Sequence, residues 1–137
     1  MIAKVQATPY AVGFADFYSV RNQSASLAAI QNRAGVCQLP SLQSLAAAAT
    51  GAGPYSQFKS DLDAIDNAAP GAYPITGFSG LIIPSYEKPD KQEAGIADLL
   101  RYILTDGQTL AANSGYVALP PELVELELKA LSLLRPH

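Results

Sequence analysis

Hydrophobic residues recur along the chain at two different spacings, one typical of helices and one typical of strands. Five apolar residues follow the spacing i, i+3, i+4, i+7 and i+8 and therefore form one helical face: Ile96, Leu99, Leu100, Ile103 and Leu104. Residues 75–83 instead hold a run that becomes continuously apolar at its end, between two prolines. This pattern predicts a strand that is covered on both faces.

The first half of the chain alternates short β-prone pieces with turns. Residues 1–7 predict the end of a helix that stops before Thr8-Pro9, and residues 10–15 predict a strand that leads into a short helical turn. Residues 28–38 predict a small hairpin, because Asn32-Arg33-Ala34-Gly35 supplies turn residues between Ile30 and Val36.

A helix is predicted to begin after Ser41, which has the side chain of an N-cap, and to end at Gly51. Its predicted apolar side consists of Leu42, Leu45, Ala46 and Ala49. Residues 58–65 carry a weak strand signal, and residues 67–71 predict a turn.

The last predicted helix starts near Pro120-Pro121, where proline suits the first turn, and runs to about residue 134. Its polar side is narrow and consists of Glu122, Glu125, Lys129 and Ser132. Since one buried face needs an arc of only about 100°, this helix is expected to be covered on two sides. Another chain is a candidate for the second side.

Composition narrows the classes of protein that fit. About half of the 137 residues are hydrophobic and 15% are charged, which is typical of a folded domain. The net charge is −3 and no basic patch is visible, so a nucleic-acid partner is not expected. No apolar run reaches the length of a membrane span, and the first residues lack the apolar core of an export signal. Direct membrane insertion is therefore not expected.

Clusters of acidic residues do not add up to a metal or catalytic site. Asp61, Asp63 and Asp66 miss the calcium-loop pattern, because Ile65 occupies the fifth position. Three glutamates lie on the last predicted helix, with a lysine four residues after the second, and are interpreted as surface residues: Glu122, Glu125 and Glu127.

Cysteine and histidine occur once each, which leaves no disulfide and no zinc-ligand set. Cys37 is interpreted as a small, partly buried residue, and His137 is the last residue, so a Ser-His-Asp set is not expected. The loop Thr50-Gly51-Ala52-Gly53 could present backbone amides to an anion. An anion site would precede a helix, whereas this loop follows one, so the loop is interpreted as a helix stop. No catalytic residue, metal ligand or cofactor is predicted, and the chain is not expected to be an enzyme.

Three segments in a fixed order carry a family resemblance: Thr8–Phe14, Tyr73–Pro84 and Gly115–Pro120. Further agreement lies at 40–42, 67–73, 99–102 and 105–108. In this order the segments resemble the C-terminal part of the phosphate-binding subunit of bacterial ABC-type phosphate importers.

This resemblance implies an α/β chain with a partial type II periplasmic-binding-protein fold. Residues 1–66 resemble the end of the second lobe, residues 67–74 a hinge-like crossing, and residues 75–137 the C-terminal part of the first lobe. Completion of this partial fold by oligomerisation is one alternative. A periplasmic or cell-surface location is what the resemblance implies, although the chain itself shows no signal peptide.

The phosphate ligands of that family lie upstream of the resembling part and include a Ser-Gly-Thr turn that this sequence lacks. The phosphate-binding residues are therefore unknown, and Tyr10 stands where the family usually has glycine. The resemblance implies a segment of a phosphate-binding protein that does not bind phosphate alone. Its expected partners are a missing N-terminal half, with which it would bind inorganic phosphate, or further copies of itself. The alternative is a stand-alone oligomerising module without a ligand.

Overall fold

A computed structural model describes residues 1–53, 64–83 and 91–132 of this chain, without the side chains of residues 91–94. Within these ranges the structure combines helices with one small sheet. The elements are α1 (Ile2–Gln6), α2 (Phe17–Arg21), β1 (Ile30–Gln31), β2 (Cys37–Gln38), α3 (Leu42–Gly51), α4 (Lys91–Leu104), α5 (Asp106–Asn113) and α6 (Pro121–Ser132).

The predicted hairpin is confirmed as an antiparallel pair of two short strands. Ile30 pairs with Gln38 and Gln31 with Cys37, and Gly35 in the turn has a φ of +80°, which suits glycine. The prediction for Cys37 was wrong, because its side chain is exposed. A two-stranded ribbon with little packed against it does not bury the residues of its second strand.

Helix α3 is confirmed together with its predicted N-cap. The Ser41 hydroxyl accepts from the Ser44 backbone N–H at 3.0 Å, and the Ser44 hydroxyl accepts from the Ser41 N–H at 2.8 Å. The buried side of the helix differs from the predicted one and consists of Ser44, Ala48 and Ala49, whereas Leu42 is 39% exposed. Small residues lie on the buried side because residues 67–73 lie close to this helix, where Asn67 donates to the Ala48 carbonyl and the Tyr73 N–H donates to the Ser44 carbonyl.

The three predicted helices of the second half are confirmed within the described ranges, and α4 contacts both α5 and α6. Gln108 ties α5 to its neighbours, since its amide donates to the Ile103 carbonyl at 2.7 Å and accepts from the Leu119 N–H at 2.8 Å. The buried hydrophobic residues described in this part are Ala97, Leu123 and Leu131. The predicted apolar face of α4 is only partly covered, and Leu99 remains 58% exposed.

Two strand predictions were wrong. Residues 11–16 and 76–83 belong to neither a helix nor a strand, and several of their apolar side chains are largely exposed: Val12 at 93%, Phe14 at 85%, Leu81 at 72% and Ile82 at 100%. A strand requires hydrogen bonds to a neighbouring strand. Within the described residues, strand pairing joins β1 and β2 and involves neither of these segments. Most of the weak strand signal at 58–65 lies outside the described residues.

The core of the described chain is small. Its buried hydrophobic residues are five alanines and two leucines: Ala48, Ala49, Ala64, Ala72, Ala97, Leu123 and Leu131. The chain exposes 9814 Å², whereas a compact monomer of this mass exposes about 6,800 Å². Apolar surface that a compact monomer would bury therefore faces solvent.

Candidate functional site

Buried side-chain amides surround residues 64–74, which we name the crossing segment. Asn67, only 8% exposed, donates from its side-chain amide to the Ala48 carbonyl at 2.7 Å and accepts from the Ala69 N–H at 3.0 Å. A Cβ atom on Gly51 would lie 2.7 Å from the Asn67 amide oxygen. The absence of a side chain at Gly51 thus allows the crossing segment to lie directly on α3.

A second buried asparagine holds the crossing segment from the side of the hairpin. The Asn32 amide, 4% exposed, donates to the carbonyls of Pro70 at 2.8 Å and Ala72 at 3.0 Å. Its oxygen accepts from the N–H groups of Ala34 and Val36, at 3.1 and 3.0 Å. Asn32 therefore shapes its own turn and binds a segment 38 to 40 residues away along the chain.

Backbone hydrogen bonds complete this attachment. The Tyr73 N–H donates to the Ser44 carbonyl at 3.1 Å, and the Asp66 N–H donates to the Pro74 carbonyl at 2.9 Å. Asp66 adopts a positive φ of 44°, a conformation that aspartate tolerates better than most residues. The crossing segment is thus joined to α3 and to the hairpin as one unit.

A cleft of about 430 Å³ lies near the N-terminus, lined in part by Met1, Asp16, Ser19 and Gln23. The Ser19 hydroxyl donates to the Asp16 carboxylate at 2.7 Å and the Ser19 N–H donates at 2.8 Å, and these bonds lower the pKa of that carboxyl. The described lining of the cleft contains no lysine or arginine side chain.

Two parts of the chain that lie far apart in sequence meet at another contact. The rings of Tyr18 on α2 and Tyr116, which precedes α6, stack with centroids 5.4 Å apart and planes 13° apart. Beside them Gly115 has a φ of +88°, and a Cβ atom there would collide with the Arg21 guanidinium group. This contact joins residues from the parts that were interpreted as the second and the first lobe.

The residues considered for metal binding or catalysis do not converge where the structure describes them. Asp66 is exposed, Glu122, Glu125 and Glu127 are exposed along α6, and Asp61, Asp63 and His137 lie outside the described residues. No cluster of metal-binding side chains occurs in residues 1–53, 64–83 and 91–132. Over the same ranges, no helix has the length and hydropathy needed to cross a bilayer.

Sequence reasoning did not single out Asn32 and Asn67 as buried residues. Asparagine is common in exposed turns, and a turn was predicted at both places. What distinguishes them is burial against distant carbonyl groups, which no local pattern signals. The one local signal is Gly51 at the end of α3, because a glycine there allows another segment to approach the helix closely.

Comparison with known proteins finds similarity to one class, that of phosphate-binding proteins. No family model matches the sequence, and no solved structure matches it. Matches do occur among curated proteins, and they cover 88–98% of this chain.

The phosphate-binding protein PstS of Methanocaldococcus jannaschii is 30% identical over 147 aligned positions, which cover 98% of this chain and 38% of that protein. The phosphate-binding protein PstS of Xylella fastidiosa is 35% identical, covering 88% of this chain and 33% of that protein. PstS of Pasteurella multocida is 26% identical, covering 90% of this chain and 36% of that protein.

These matches confirm the resemblance to the phosphate-binding subunit that the sequence predicts. The chain spans about a third of the length of the curated relatives it matches. The structure itself mixes helices with a small sheet within the described residues.

Proposed function

We propose that this chain is a C-terminal segment of the substrate-binding component of an ABC-type phosphate uptake system, which binds phosphate only together with a complementing polypeptide. The observation that carries the proposal is the match to phosphate-binding proteins along nearly the whole chain but only a third of theirs. Residues 1–66 and 75–137 would contribute to two lobes of a type II periplasmic-binding-protein fold, and 67–74 would cross between them.

The small core supports the need for a complementing polypeptide. Apolar side chains such as Phe14, Ile75 and Ile82 are largely exposed, and a complementing polypeptide that packs on them would bury them. The cleft near Asp16 has no lysine or arginine side chain in its described lining. The phosphate ligands would accordingly come from the complementing polypeptide.

The proposal is tested by calorimetric titration with phosphate, with sulfate as the control anion. The purified chain alone is expected to give no phosphate-specific heat. A chimera, in which this chain replaces the matching third of the Methanocaldococcus jannaschii protein, is expected to bind phosphate and not sulfate. That protein itself, titrated in parallel, is the positive control.

Two results would contradict the proposal in different ways. Phosphate-selective heat from the chain alone would show a complete site within it and remove the need for a complementing polypeptide. A chimera that unfolds cooperatively but binds no phosphate would show that the segment does not serve this ligand.

A further inference from the structure

The attachment of the crossing segment ends at Pro74. This residue is buried, and its carbonyl accepts a backbone hydrogen bond of 2.9 Å from within the crossing segment. The next residue, Ile75, is 67% exposed, and the Thr76 hydroxyl donates back to the Tyr73 carbonyl at 2.8 Å. Residues 77–83 belong to neither a helix nor a strand. The change from buried to exposed chain therefore falls directly after Pro74.

Two exposed glycines follow this change. A Cβ atom on Gly77 or Gly80 would meet none of the described atoms within 4 Å, and neither glycine has a positive φ. Glycine adopts a wider range of backbone conformations than other residues, and hinges consist of a few loop residues that absorb a change in φ and ψ. Open space and backbone freedom therefore coincide in residues 75–80, which we name the joint.

Bending within the crossing segment would instead break buried hydrogen bonds. The Asn32 amide would lose the carbonyls of Pro70 and Ala72. The Asn67 amide would lose the Ala48 carbonyl. Asn32 is 4% exposed and Asn67 is 8% exposed, and a buried polar group that loses its partner costs free energy. The crossing segment is therefore a poor place for the chain to bend.

We propose that the joint is the point at which this chain bends, and that the crossing segment moves as one body with the hairpin and α3. The inference rests on the proposed function, in which the chain crosses between two lobes, and it places the bending after the crossing itself. The Tyr18–Tyr116 stack joins residues from the two sides of the joint. Because both rings are partly exposed, bending can separate them without opening a buried contact.

Distances between pairs of spin labels, measured by pulsed electron paramagnetic resonance on the purified chain, test this motion. Labelled cysteines replace exposed residues in a Cys37→Ser background, which removes the single native thiol. Gln43→Cys with Ala68→Cys reports on α3 and the crossing segment, and Asn113→Cys with Glu125→Cys reports on α5 and α6. Both pairs are expected to give narrow distance distributions. Gln43→Cys with Asn113→Cys spans the joint and is expected to give a broader distribution than either.

Alanine substitutions test the position of the joint. The double variant Gly77→Ala/Gly80→Ala is expected to narrow the broad distribution, because a side chain restricts φ and ψ. Gly71→Ala is the matched control, since Gly71 is an exposed glycine in the crossing segment and a Cβ atom there would lie 3.6 Å from the Ala47 side chain, an ordinary contact. This control is expected to leave all three distributions unchanged.

A broad distribution for either pair that does not span the joint would overturn the proposal, because the chain would then bend elsewhere. A distribution across the joint that is as narrow as the other two would also overturn it. The same holds if the double alanine variant leaves that distribution as broad as before, or if Gly71→Ala narrows it equally. No measurement involves phosphate, so the joint can fail while the chimera binds phosphate, and a chimera without phosphate binding leaves these distances unaffected.

Discussion

At the scale of single residues, Tyr10 shows a local conflict between side chain and backbone. Its φ is +63°, in the left-handed region, and its side chain is fully exposed, so no packing compensates. The sequence resemblance places Tyr10 where the related family usually has glycine. The turn keeps a conformation that glycine adopts freely and tyrosine does not.

Tyr10→Gly is expected to stabilise the chain. The left-handed conformation costs a residue with a side chain about 1–2 kcal/mol, and the greater freedom of glycine in the unfolded chain offsets about 0.4–1 kcal/mol of that gain. The free energy of unfolding should therefore rise by about 0.5–1 kcal/mol, measured by urea denaturation. Tyr10→Ala is the control, since it removes the ring but keeps the strain. An equal gain from the alanine variant would contradict the strain explanation.

At the scale of elements, the attachment of the crossing segment to α3 depends on buried side-chain amides. The Asn67 amide donates to the buried carbonyls of Ala48 and Ala64, and its oxygen accepts from the Ala69 N–H. Without this amide the contact between the segment and the helix would leave polar groups buried and unpaired.

Asn67→Ala is expected to lower the free energy of unfolding by about 2–3 kcal/mol, since a buried polar group without a partner costs about 1–3 kcal/mol. Hydrogen exchange should become faster in residues 64–74 and 42–51 first. Asn113→Ala, an exposed asparagine at the end of α5, is the control and should change stability by less than about 0.5 kcal/mol. Similar losses of unfolding free energy from both variants would show that the buried Asn67 amide contributes no more to stability than an exposed one.

At the scale of the whole molecule, the Tyr18–Tyr116 stack joins α2 to the approach of α6. The two rings are partly exposed, at 41% and 55%. The stack is therefore a modest link between distant parts of the chain, one that a neighbouring element would strengthen by excluding water.

A double-mutant cycle of Tyr18→Ala and Tyr116→Ala is expected to give a coupling energy of about 0.5–1 kcal/mol, as aromatic pairs do. The measurement is the free energy of unfolding of the two single variants, the double variant and the parent chain. Pairing Tyr18→Ala with Tyr102→Ala supplies the control, because Tyr102 lies on α4 and is not part of the stack. Additive effects in the first cycle would mean that the stack does not stabilise the chain.

Local signals predicted the helices and the hairpin well. The serine before α3, the apolar spacing in α4 and the prolines before α6 act over a few residues, so the structure follows them. The order of segments along the chain also indicated the family that the comparisons confirm. Which side of α3 is buried was not predictable from its pattern, because Ser44 and Ala48 face a segment that lies far along the chain.

The sequence by itself determined where helices begin and end, where the hairpin turns, and which family the chain resembles. Only the tertiary structure decided that Asn32 and Asn67 are buried and that the β-prone residues 79–83 pair with no strand in the described part of the chain. The physical reason is the distance along the chain over which hydrogen-bond partners are found. A helix satisfies its own backbone hydrogen bonds within four residues, whereas a strand or a buried amide requires a partner that its own segment cannot supply.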